Sequence, residues 1–167
     1  WNTGAFDTGP TFAMVFQKVT QGLSSEQASI QVHKELKGAT AGCGPAHRIA
    51  PIASYTKIPT DRLLSIAIEE AAITHYHKDA GNCSAIMALL CRYLIEGNSW
   101  KESKEIVSQN EDLKSTWSKI ESASLNNGGF VLDVMHSAFH FLDNKNSLEN
   151  SLLFAGPANY LSLIHIS

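Results

Sequence analysis

Apolar residues recur at helical spacing along nearly the whole of this sequence, and no stretch alternates them with polar ones in the manner of a β-strand. That pattern restricts the chain to helix packed on helix. Phe12, Val15, Phe16 and Val19 form a first stripe. Ser24-Ser25-Glu26-Gln27 then supplies an S-x-x-Q capping box, and Ala28, Val32 and Leu36 carry the next helix to a stop at Gly38. Between residues 39 and 59, Gly42, Gly44, Pro45 and Pro51 interrupt the pattern, which predicts a loop leading into a short apolar element at residues 49–53. Residues 63–73 are apolar on most sides, as a central helix would be.

Residues 74–82 read as a polar interruption before a second apolar helix through Met87, Leu90 and Leu94, ended by Gly97. Ser99-Trp100-Lys101-Glu102 repeats the capping pattern, and Leu113, Trp117 and Ile120 mark a further helix. Beyond a turn at Asn126-Asn127-Gly128-Gly129, the residues Val131, Val134, Met135, Ala138, Phe139 and Leu142 make the cleanest stripe in the chain. Ser147 is placed to cap a last helix through Leu148, Leu152 and Leu153. The expected fold class is all-α, a multi-helix bundle.

Composition narrows the function. With 167 residues, 44% hydrophobic and 17% charged, the chain suits one domain with its own core. Its 13 basic and 16 acidic residues leave a net charge of −3, and no Lys/Arg block offers a nucleic-acid footprint. No apolar run reaches transmembrane length. Cys43, Cys83 and Cys91 fit neither a disulfide framework nor a CxxC metal site, so they are expected as reduced thiols, in the cytoplasm or another reducing compartment. The chain opens at Trp1 without a Met and reads as the interior of a longer domain. Its last residues, 161–167, resemble translated sequencing-adapter sequence. The domain is therefore taken as residues 1–160, followed by a non-native tail at 161–167.

Three polar islands interrupt the apolar scaffold: residues 4–11, residues 42–51 and residues 74–80. In the first, Asp7 could accept a hydrogen bond from a substrate hydroxyl or guanidinium, or cap the helix that follows. In the second, Gly42 and Gly44 either admit phosphate oxygens to backbone N–H groups or permit a tight turn. Pro45 removes one such donor. Arg48 suits a phosphate or a structural ion pair. In the third, a surface loop position is the plain reading of His75 and the preferred one for His77. His136 and His140 have metal-ligand spacing on a helix. No Glu follows His136 and no third ligand is identifiable, so both are expected on a solvated face opposite the 131–142 stripe.

In order and spacing these islands resemble the ADP-ribosylglycohydrolase family. Asp7-Thr8-Gly9-Pro10-Thr11 matches its Asp-x-Gly-x-Thr helix start. Gly42-Cys43-Gly44 running into Arg48-Ile49-Ala50-Pro51 matches its glycine-rich loop, with Cys43 where the family has Asn. Thr74-His75 followed by Ala80, then Gly129-Phe130-Val131 and Ser147-Leu148-Glu149, complete the correspondence. The resemblance implies that Asp7, Gly42, Cys43, Gly44 and His75 contact ADP-ribose or an ADP-ribosylated substrate. It also implies two Mg²⁺ ions for the intact family domain, serving cleavage at the anomeric carbon.

Hard cations of this kind need carboxylate oxygens. The family's Thr-Asp-Asp motif has no counterpart here, and residues 155–160, where its late Gly-Gly-Asp-x-Asp motif should fall, contain no acid. The expectation is that this chain, incomplete at both ends, assembles no metal site and supplies no catalytic residue. Its intact parent would be a hydrolase. The alternatives are a degenerate ADP-ribose-binding module and a purely structural helical protein.

Overall fold

A computed structural model describes residues 9–144 of the chain. They form nine helices and, among the described residues, no strand. The order is α1 (Pro10–Thr20), α2 (Ser25–Glu35), α3 (Gly44–Arg48), α4 (Ala50–Ser54), α5 (Thr60–Ala72), α6 (Lys78–Ile95), α7 (Trp100–Ser108), α8 (Lys114–Glu121) and α9 (Val131–Asp143). The expected all-α class is what the chain adopts. The helix expected after Ser147 lies outside the described residues, as do residues 155–160 and 161–167.

Both capping boxes form. Gln27 N–H donates to Ser24 Oγ at 3.2 Å while Ser24 N–H donates to Gln27 Oε1 at 3.1 Å. Ser99 N–H likewise donates to Glu102 Oε2 at 2.8 Å, and Glu102 N–H returns to Ser99 Oγ. Gly38 and Gly97, at φ +88° and +96°, end α2 and α6 as expected. α1 begins at Pro10 with Gly9 in the capping position, so the capping role considered for Asp7 falls to Gly9. Of the α1 stripe, Val15 is buried, whereas Phe16 and Val19 stay exposed.

The centre of the protein is α6, not the 63–73 segment. On α5, Leu63, Ala67 and Ala71 are buried, but Asp61, Arg62, Ser65, Glu69 and the following Ile73 are exposed, so that helix is amphipathic rather than enclosed. α6 buries two-thirds of its length and is contacted by α3, α4, α5, α7, α8 and α9. It also starts earlier than expected. Residues 78–82 are its first turns, not a polar interruption, because their polar groups find partners from distant segments. Lys119 donates to Asp79 at 2.8 Å, Asn82 donates to Thr116 at 2.8 Å, and His77 Nδ1 accepts Asp79 N–H at 3.1 Å as the N-cap.

The same helix carries Arg92, only 2% exposed and deep in the core. Its guanidinium donates to the carbonyls of Ala53, Tyr55 and Ile58 at 2.9, 3.0 and 2.6 Å, and to Thr60 Oγ1. Those oxygens lie where α4 stops and α5 has not begun; Tyr55 O also accepts Ile58 N–H at 3.0 Å, and one buried cation ties the whole turn together. The main core runs from Ile49 through Leu63, Ile86 and Leu90 to Ile120, Val131 and Met135. α1 and α2 bury a separate small cluster of Val15, Ala28 and Val32.

His136 departs from its expected solvated face. It is half-buried, with Nδ1 2.8 Å from the carbonyl of Ile120, which ties α9 to the end of α8. His140 is exposed, as expected. The three thiols are free: Cys83 is buried, and Cys43 and Cys91 are half-buried. Among the described residues no helix is long and apolar enough to cross a membrane.

Candidate functional site

The second and third polar islands meet. α5 ends at Ala72, and the short connection that follows turns Thr74 and His75 inward, leaving them 6% and 7% exposed. His75 Nδ1 sits 2.8 Å from Thr74 Oγ1. The rest of the imidazole lies along the glycine loop. A Cβ built on Gly42 would stand 3.0 Å from His75 Nε2 and 3.2 Å from Cδ2, and one on Gly44 would stand 3.4 Å from Cε1. The two glycines therefore have a concrete task in this fold, which is to leave room for one edge of the His75 ring. Spacing alone suggested a phosphate cradle or a tight turn and gave no hint of an imidazole between them.

The loop is held from its other side by the start of α9. Cys43 N–H donates to Gly129 O at 3.1 Å and Val131 N–H donates to Ala41 O at 2.9 Å, making an isolated antiparallel bridge between Gly42 and Phe130. The Cys43 N–H is thus spent on Gly129 and is not free for a phosphate. Gly44 and Pro45 begin α3 rather than continuing the expected loop, and Pro45 occupies the first turn, where a missing N–H is harmless. Phe130 remains 46% exposed beside Gly42. Nothing in the local sequence around Phe130 shows which loop it will border.

Arg48 resolves to an ion pair. Its Nε donates to Glu70 Oε1 at 2.6 Å and its Nη2 to the carbonyl of Glu70 at 3.2 Å. The guanidinium still lies close enough to act on His75. Burial above all, and then the Arg48 charge, hold the His75 imidazole at a pKa of about 4, so it is neutral near pH 7. Burial likewise lowers the pKa of His47 and raises that of the Cys43 thiol. His47 Nε2 and Glu70 Oε2 are buried without a hydrogen-bond partner. A neutral imidazole, an aromatic face and glycine backbone can bind a polar ligand by hydrogen bonding and stacking. They supply neither a general base matched to neutral pH nor a nucleophile.

Of the expected contact residues, Gly42, Cys43, Gly44 and His75 are brought together; Asp7 lies outside the described residues. Among those residues, no three His, Cys, Asp or Glu side chains converge to hold a metal ion. The described side chains therefore do not fit a pair of Mg²⁺ ions, which need converging carboxylate oxygens.

No curated protein and no solved structure matches this chain significantly. A family does. The family described as ADP-ribosylglycohydrolase matches residues 1–157, a span that takes in the glycine loop, the Thr74-His75 pair and the Phe130 bridge together. All-helical over its described residues and matched over nearly its whole length, the chain belongs to the ADP-ribosylglycohydrolase family.

Proposed function

We propose that the intact protein hydrolyses an ADP-ribosyl glycosidic linkage, and that Gly42, Cys43, Gly44 and His75, with Asp7, contribute to its ADP-ribose-binding surface. The observation that carries this reading is the convergence of Gly42, Gly44 and His75, with the exposed Phe130 bridged to Gly42 through its backbone. Phe130 offers a face on which a base can stack. A neutral His75 can donate or accept at a ribose hydroxyl or phosphate oxygen without adding charge. Mg²⁺ is proposed for the intact protein alone, since the described side chains would not hold it.

Titration calorimetry of ADP-ribose into this chain tests the binding half. Heat of binding is expected, with affinity reduced about tenfold by Phe130→Ala, the loss expected for one stacked base. An unchanged affinity would remove Phe130 from the surface. The hydrolytic half is tested on the full-length parent with an ADP-ribosylated protein substrate. Release of ADP-ribose that a chelator abolishes is expected, and no release with any divalent metal would end the proposal.

A second reading is favoured by the acid-free residues 155–160. On it the protein holds ADP-ribose without turning it over. Metal-independent ADP-ribose binding by the parent, with no hydrolysis, separates this reading from the first.

A further inference from the structure

The α1–α2 hairpin meets the rest of the protein at a cluster of rings. His33, on α2, packs edge-on against Tyr76 and His77 of the α5–α6 connection, with ring centroids 5.8 and 5.9 Å apart. Its Nδ1 is hydrogen-bonded to Oγ1 of Thr40, a buried residue on the loop that leads to Gly42. His77 has a second task, since its Nδ1 accepts Asp79 N–H and caps α6. The hairpin's small apolar cluster is separate from the main core, so this seam is where it can part from the bundle.

We propose that the His33–His77 contact is an acid-operated latch, holding the α1–α2 hairpin and the 38–44 loop against the bundle near neutral pH and releasing them on acidification. Two changes act in the same direction. When both imidazoles are protonated, like charges face each other across less than a ring-pair separation. A protonated His77 also has no lone pair on Nδ1 with which to accept Asp79 N–H, so α6 loses its cap. Undocking relieves the first and makes the second tolerable.

The surroundings do not neutralise these charges. Thr40, on the loop after α2, and Tyr76, on the α5–α6 connection, carry none near neutral pH. Asp79, at the start of α6, is already committed to Lys119 of α8. Burial first, and then the charge of His77, lower the pKa of His33 below its ordinary 6.5. The released state therefore binds the proton more tightly than the latched one, and docking weakens as pH falls through that ordinary value. The loop that would loosen is the one lying on His75, which makes the candidate site a downstream reporter. The latch itself stands on the ring geometry and not on what the site binds.

Amide hydrogen exchange on the full chain, corrected for intrinsic rate, tests the latch at about pH 7.5 and about pH 5.5. Peptides covering residues 24–44 and 74–82 are expected to exchange about tenfold faster at the lower pH, while residues 131–143 change little. In the double variant His33→Gln, His77→Asn the excess response of residues 24–44 over residues 131–143 should vanish, because neither new side chain titrates and both keep an acceptor, leaving only the acid loss that His75 gives the whole fold. Unchanged exchange in the wild type, an equal rise in all peptides, or an undiminished response in the double variant would each overturn the proposal. Should the double variant be unprotected already at the higher pH, His77→Asn alone decides. It keeps the cap and removes one charge, so its acid response must be smaller than the wild type's, and an equal response overturns the latch.

Discussion

The bundle around α6 and the α1–α2 hairpin are held by different physics. Around α6 the protein buries Asp79, Asn82, Ser84, Arg92 and Thr116 among apolar side chains, and their partners come from segments far away in sequence. The hairpin has three fully buried apolar side chains, a local capping box and a surface Lys18–Glu35 ion pair at 2.8 Å. Buried polar networks are demanding, since each member left unpaired destabilises by its full desolvation. Local caps contribute little one by one and can be lost one by one. The bundle should accordingly fail as a whole, and the hairpin in part.

Arg92→Met is the most damaging change this contrast foresees. It takes the guanidinium away from the carbonyls of Ala53, Tyr55 and Ile58, of which only Tyr55 O keeps a bond, from Ile58 N–H, and should destabilise by about 3–5 kcal/mol in urea denaturation. A loss close to zero would mean that the polar network is not what unites the bundle. Acid comes next. His75 has its pKa lowered from 6.5 to about 4 in the fold. Unfolded chains therefore bind the proton first, and stability present above the ordinary value falls as pH drops from 6.5 towards 4. At 7% exposure the shift converts to about 3 kcal/mol in total. Denaturation midpoints measured across that window should flatten in His75→Gln.

Smaller effects probe the seam and the hairpin. Gly42→Ala sets a methyl against the His75 ring and should cost about 1–3 kcal/mol, with a shift of the His75 ring resonances in NMR. Gly44→Ala, with more room, should cost less. Ser24→Ala removes one cap, worth about 1 kcal/mol. It should speed amide exchange along Ser25–Glu35 without moving the global midpoint. A matching drop in the midpoint would show that hairpin and bundle unfold as one unit.

The parts of this fold that could be read in the sequence are those whose chemistry is local. Ser24 with Gln27, Ser99 with Glu102, and the apolar stripe of α9 declare themselves within a turn or two. What the sequence concealed depends on partners brought from elsewhere. Residues 78–82 look like a break in an apolar pattern until Lys119 and Thr116 arrive to pair with Asp79 and Asn82. Nothing near Arg92 in the sequence shows that the carbonyls of Ala53, Tyr55 and Ile58 will surround it. Residue types at the candidate site were legible through order and spacing. That the glycines lie on His75, that Cys43 N–H is spent on Gly129, and that Phe130 borders the loop all follow from tertiary contact.

The short bridge that joins the glycine loop to α9 also fixes a register. Ala41 and Cys43 grip Val131 and Gly129 on either side of Phe130. In extended backbone, neighbouring side chains point to opposite faces, so sliding this two-rung pairing by a single residue would exchange inside for outside. Val131, fully enclosed now, would turn to water, and Phe130 would swing into the core. Two hydrogen bonds thereby decide which way an aromatic ring faces, and they do so where the glycine loop meets the start of α9.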